Sequence, residues 1–102
     1  MGQPIARITD IGVGQCSHPS HNGTISMSGY IITSAQTVYA YNKKVARVGD
    51  IVIGMCGHSG TIVTGSSNVI TENKKTARVG DQFIGDFTGI IISGDNYTKV
   101  GG

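Results

Sequence analysis

A chain of 102 residues makes one domain at most, and one this short buries a smaller share of its surface than a larger protein does. Apolar residues supply only 38% of it, tryptophan is absent and glycine occurs 16 times, a composition of dense turns and few helices. The 8 basic and 6 acidic residues scatter to a net charge of +2 with no like-charge block, so nucleic acid is not an expected partner.

The N-terminus, Met1-Gly2-Gln3-Pro4, lacks a basic region followed by an apolar stretch, so synthesis in the cytoplasm without a Sec-type signal is expected. No apolar run approaches the roughly 20 residues that a spanning helix needs.

Self-similarity decides the architecture before any strand is assigned. Ala6-Arg7-Ile8-Thr9-Asp10 opens a first unit, Ala46-Arg47-Val48-Gly49-Asp50 a second and Ala77-Arg78-Val79-Gly80-Asp81 a third. Arg47 and Arg78 lie 31 residues apart, and at that offset Ile31-Ile32-Thr33-Ser34 falls on Ile62-Val63-Thr64-Gly65 and Asn42-Lys43-Lys44 on Asn73-Lys74-Lys75. The first unit is longer only in the loop containing His18-Pro19-Ser20-His21, and the third is shortened in the same place to Asp86-Phe87-Thr88. The units run over about residues 4–44, 45–75 and 76–102 of a single domain.

Taken in chain order, Tyr30-Ile31-Ile32-Thr33, Thr37-Val38-Tyr39-Ala40-Tyr41, Thr61-Ile62-Val63-Thr64 and Gly89-Ile90-Ile91-Ile92-Ser93 are β-branched and aromatic runs bounded by Gly, Ser and Asn. They predict strands, and no stretch carries helical spacing between a cap and a stop. The expected fold is all-β: three tandem β-hairpin-type repeats sharing one core in a pseudo-threefold cone, with the variable loops gathered at one end. Lys43-Lys44 and Lys74-Lys75 fall at matching turns and are expected at solvated hairpin tips.

Every Cys and His lies in the variable loop of units one and two: Cys16, His18 and His21 in one, Cys56 and His58 in the other. Cys16 and Cys56 each stand nine residues after their anchor arginine, so Cys16-Ser17-His18 and Cys56-Gly57-His58 are equivalent. In extended chain such residues point the same way, and each loop then offers a thiolate with an imidazole. A single disulfide is the alternative use of two cysteines, but disulfide frameworks do not require the accompanying histidines. Four Cys and His ligands close a tetrahedral Zn²⁺ site with no position for water, which makes it structural. Such an ion contributes roughly 10 kcal/mol at neutral pH, comparable to a whole domain's stability. A catalytic Cys–His pair lacks an orienting third residue here. As for a zinc enzyme, the nearest acids, Asp10, Asp50 and Asp86, sit in no zinc-hydrolase motif.

These residues resemble the PAAR-repeat family, named for a Pro-Ala-Ala-Arg motif followed by Gly-Asp. Pro4-Ile5-Ala6-Arg7, Val45-Ala46-Arg47-Val48-Gly49-Asp50 and Thr76-Ala77-Arg78-Val79-Gly80-Asp81 carry the likeness, with the loop Cys56-Gly57-His58-Ser59-Gly60. Lys44 and Lys75 replace the motif's proline, and Thr9 replaces a glycine. The resemblance implies a cone whose base binds the end of a trimeric β-helical spike and whose point touches the target cell envelope during piercing. It also implies one structural zinc ion held by three histidines and one cysteine. Carried over, the histidines are His18, His21 and His58, with Cys56 the favoured cysteine; the repeat register supports Cys16, His18, Cys56 and His58 equally well. With little chain outside the motifs, no fused effector domain is expected. A phage tail or tailocin tip is favoured over a type VI secretion spike cap and effector adaptor, and a small zinc-dependent enzyme is the remaining alternative.

Overall fold

A computed structural model describes residues 3–19, 23–40 and 42–100, the side chains of 96–100 excepted. In chain order the strands are β1 (Gln3–Ile5), β2 (Ile11–Cys16), β3 (Ile25–Ile31), β4 (Tyr39–Ala40), β5 (Lys43–Lys44) and β6 (Ile51–Gly54). They continue as β7 (Ser59–Ile62), β8 (Ile70–Thr71), β9 (Lys74–Lys75), β10 (Gln82–Gly85), β11 (Phe87–Ile91) and β12 (Asp95–Val100). The described residues form no helix, and the all-β expectation is met.

Each unit contributes one antiparallel hairpin, β2–β3, β6–β7 or β10–β11, and the three hairpins close on one another through β3–β6, β7–β10 and β11–β2 into a barrel. Closure leaves no unpaired edge in that sheet. The barrel is narrow because glycine stands where hairpins meet: a Cβ at Gly29, Gly60 or Gly89 would lie 2.0, 2.1 or 1.9 Å from the carbonyl oxygen of Ile53, Phe87 or Val13. No other residue permits that approach.

The pseudo-threefold relation is written in hydrogen bonds. Ala6 N donates to Ala77 O, Ala77 N to Ala46 O and Ala46 N to Ala6 O, a closed ring of fully buried alanines. A second ring uses side chains: Thr33 Oγ1 donates to Asp50 Oδ1, Thr64 Oγ1 to Asp81 Oδ1 and Ser93 Oγ to Asp10 Oδ1. The same hydroxyls accept from the amides of Ile51, Gln82 and Ile11. Here the predicted strand over Tyr30–Thr33 is corrected at its end. β3 stops at Ile31 because the Thr33 hydroxyl, not a backbone carbonyl, receives the next amide.

Two short ribbons, β4–β5 and β8–β9, end units one and two, with Tyr39 opposite Lys44 and Ile70 opposite Lys75. The third ribbon pairs β12 with β1, Lys99 opposite Pro4, so the two chain ends together make the counterpart of a continuous hairpin. Lys43-Lys44 and Lys74-Lys75 are the first residues returning from the turns, with Asn42, Glu72 and Asn73 in left-handed conformation. Two-residue hairpin loops demand that conformation.

Beneath the rings lies the core of Ile31, Ile62, Ile91, Val52, Phe83 and Phe87, all fully buried, with Met27 and Val48 against it. Phe83 and Phe87 pack at 4.8 Å between ring centroids, tilted by 49°. The molecule extends 39 × 25 × 22 Å, consistent with a tapered all-β body.

The anchor arginines and their aspartates are fixtures of their own turns. Arg47 N donates to Asp50 Oδ2 at 2.7 Å while its Nε reaches the same oxygen at 3.1 Å, and Arg7–Asp10 and Arg78–Asp81 repeat the pattern. Arg47 also holds a carboxylate from elsewhere, Glu72, at 3.1 Å.

Candidate metal centre

The hairpin tips of units one and two meet at the end of the barrel away from the alanine ring. Cys16 is the last residue of β2 and lies between Phe87 of β11 and Ile25 of β3, which buries it completely. Ser17 N donates to Asp86 O at 2.8 Å, tying the exit of β2 to the short tip of unit three.

Cys56 and His58 belong to the tight turn between β6 and β7, not to extended chain. Gly57 N donates to Gly54 O and Gly54 N to His58 O, with Gly57 at φ +89°, the left-handed residue of a three-residue hairpin loop. The expected parallel projection of Cys56 and His58 from an extended segment is thereby replaced by a turn, which carries both side chains toward Cys16.

There Cys16 Sγ stands 3.3 Å from Cys56 Sγ and 3.4 Å from His58 Nδ1. One donor atom from each of Cys16, Cys56 and His58 falls within 4.8 Å of the others. The His18 ring stacks on His58, centroids 3.8 Å apart and planes 10° from parallel. His21 lies outside the described residues. Burial pushes the Cys16 thiol up, and the His18 backbone N–H directed at it works the other way.

The donor set fits a tetrahedral Zn²⁺. With Zn–S near 2.3 Å and Zn–N near 2.0–2.1 Å, the edges of such a tetrahedron are about 3.5–3.8 Å, so Cys16 Sγ needs only a slight spread from Cys56 Sγ and from His58 Nδ1. Two imidazoles on one such ion hold their centroids about 5 Å apart, so His18 must turn off the His58 face to join it.

From the sequence, Phe87 in the short third loop is either a cover for the centre or simply a buried residue. It stands nine residues after Arg78, the position of Cys16 and Cys56 in their units, and it is fully buried. Unit three thus places an apolar ring where the others place sulphur, next to Met27 around Gly54.

The sequence matches the PAAR motif over residues 13–84. The chain belongs to the PAAR family. Membership supports the spike-tip role in contractile injection systems that the sequence implied, a structural role in association with a spike protein. The resemblance drawn from the three Ala-Arg units is therefore sustained, and the structure extends the PAAR pattern beyond the matched span, to the Arg7–Asp10 turn and the Ser93–Asp10 bond. No curated protein matches this PAAR chain closely in sequence.

Proposed function

We propose that this PAAR protein is the zinc-pinned point of a trimeric β-helical spike, a structural cap with no catalytic step. The observation that carries the reading is the closed pseudo-threefold ring, in which each unit offers the same surface to one member of a trimer. At the barrel end opposite the hairpin tips, Ile32, Val63 and Ile92 stand exposed, each just after a buried isoleucine, and Tyr39 and Ile70 are exposed on the adjoining ribbons. Three equivalent apolar side chains suit three identical strand ends, whose unpaired backbone groups need a cover.

At the other end Cys16, Cys56, His58 and one further imidazole, His18 or His21, hold one Zn²⁺. The ion supplies a cross-link between units one and two where too little volume remains for an apolar core; Phe87 closes the third side. Four protein donors leave it no open position. A phage tail, a tailocin and a type VI secretion spike all present a trimeric end of this kind, and the envelope is met by the opposite tip.

Co-purification with candidate trimeric spikes tests the reading, together with elemental analysis of the purified protein. Retention of a spike that is lost on Val63→Asp supports it. Absence of binding to every trimeric spike at micromolar concentration overturns it.

A further inference from the structure

Cys16 and Cys56 come from different units, 40 residues apart, yet the Cys56 thiol donates to Cys16 Sγ at 3.3 Å with no disulfide between them. A zinc ion holds two thiolates about 3.8 Å apart, and a disulfide closes them to about 2.05 Å. The observed separation lies between the two, so the end of β2 and the β6–β7 turn hold the sulphurs where either pin can form.

We propose that Cys16 and Cys56 form a thiol–disulfide site that replaces the metal: when the ion is absent, a low-molecular-weight disulfide such as glutathione disulfide oxidises the pair to an intramolecular bond joining units one and two. The proposal rests on the zinc reading only in that ion and bond exclude each other.

The two sulphurs differ in access, and this sets the order of events. Cys56 is partly exposed on a turn beside Met55, which is 74% exposed, whereas Cys16 is fully buried. A reagent from solution therefore meets Cys56 first. Its thiolate attacks one sulphur of the small disulfide, forming a mixed disulfide and expelling one small thiolate. Cys16, already beside it, attacks Cys56 Sγ and expels the second. The protein gives up two electrons and two protons; the small disulfide is reduced to two thiols, which take both protons. A chain made among reduced thiols and used outside the cell crosses from one regime to the other, and the tip stays pinned in both.

The test uses the full chain, stripped of metal by a chelator under reductant, freed of reductant without air and mixed with glutathione disulfide. Intact mass and maleimide labelling report the outcome. Expected is a monomer that has lost both free thiols and two hydrogen masses, while Cys16→Ser stops with one glutathione on Cys56 and Cys56→Ser stays unmodified at Cys16. Persistent glutathione adducts on the unsubstituted chain, cross-linked dimers, unreacted thiols, or a yield no higher than in urea would each overturn the proposal. Zinc added before the oxidant is expected to abolish the reaction. If the bond forms and zinc gives no protection, the zinc reading fails and the disulfide site stands; if zinc binds one per chain and no bond forms, the reverse holds.

Discussion

Phe87 lies directly across the β2–β11 pair from Cys16, and both side chains are fully buried. The pairing makes the apolar floor and the candidate metal ligand parts of one layer. Phe87→Ala removes a large ring from a small core and is expected to cost about 3–5 kcal/mol. Urea unfolding followed by circular dichroism measures the loss, and elemental analysis of the same variant shows whether the centre loosens with it.

If the proposed zinc is bound, its removal acts through mass action. At free zinc about 1,000 times Kd the bound ion stabilises the fold by about 4 kcal/mol, so chelation is expected to lower the unfolding midpoint accordingly. His58→Ala should show the lowered midpoint before chelation and little further change after it. Thermal unfolding with and without chelator, alongside zinc content per chain, checks both.

The turn after each anchor arginine has a left-handed third residue: Gly49 and Gly80 in two units, but Thr9 at φ +71° in the first. A side chain in that region costs about 1–2 kcal/mol. Gly49→Ala is therefore expected to destabilise by about 1 kcal/mol. Thr9→Gly relieves strain but gives up the Lys43 Nζ bond to Thr9 Oγ1 and gains freedom in the unfolded chain, so its effect should stay within about 1 kcal/mol. Parallel denaturation curves of the two variants decide the sign.

Glu72 joins units one and two on their outer side. Its carboxylate accepts from the Thr37 hydroxyl, from the amides of Gln36 and Thr37, and from Arg47 Nη1. The Thr37 hydroxyl is the chief cause that holds its pKa below the ordinary carboxylate value, followed by the two amides, with Arg47 a smaller contributor. A lowered folded pKa means stability present above the ordinary value of about 4.3 and lost as pH falls through the folded one. Glu72→Gln is thus expected to melt below the unsubstituted protein at pH 7, the gap narrowing in acid. A constant gap down to about pH 3 contradicts it.

Much of this was legible in the chain itself. The three Ala-Arg units, the β-branched runs and the position of every length difference in one loop announced an all-β threefold body with its Cys and His gathered at one end. These features reside in neighbouring residues: side-chain alternation, turn chemistry and fixed offsets from an anchor. The Asn42 and Asn73 turns and the Arg–Asp spacing are local in the same sense.

Which unit bonds to which was settled in three dimensions. Ser93 reaches Asp10 across 83 residues, β12 pairs with β1 to finish the third ribbon, and Glu72 clasps Thr37 without any motif to mark it. The stacking of His18 on His58 and the turn that carries Cys56 to Cys16 belong to the same class. Local patterns set how each segment bends and which way its side chains alternate. The distance between two segments arises only when all three hairpins close at once, because each strand's register is held by the strands on both its sides.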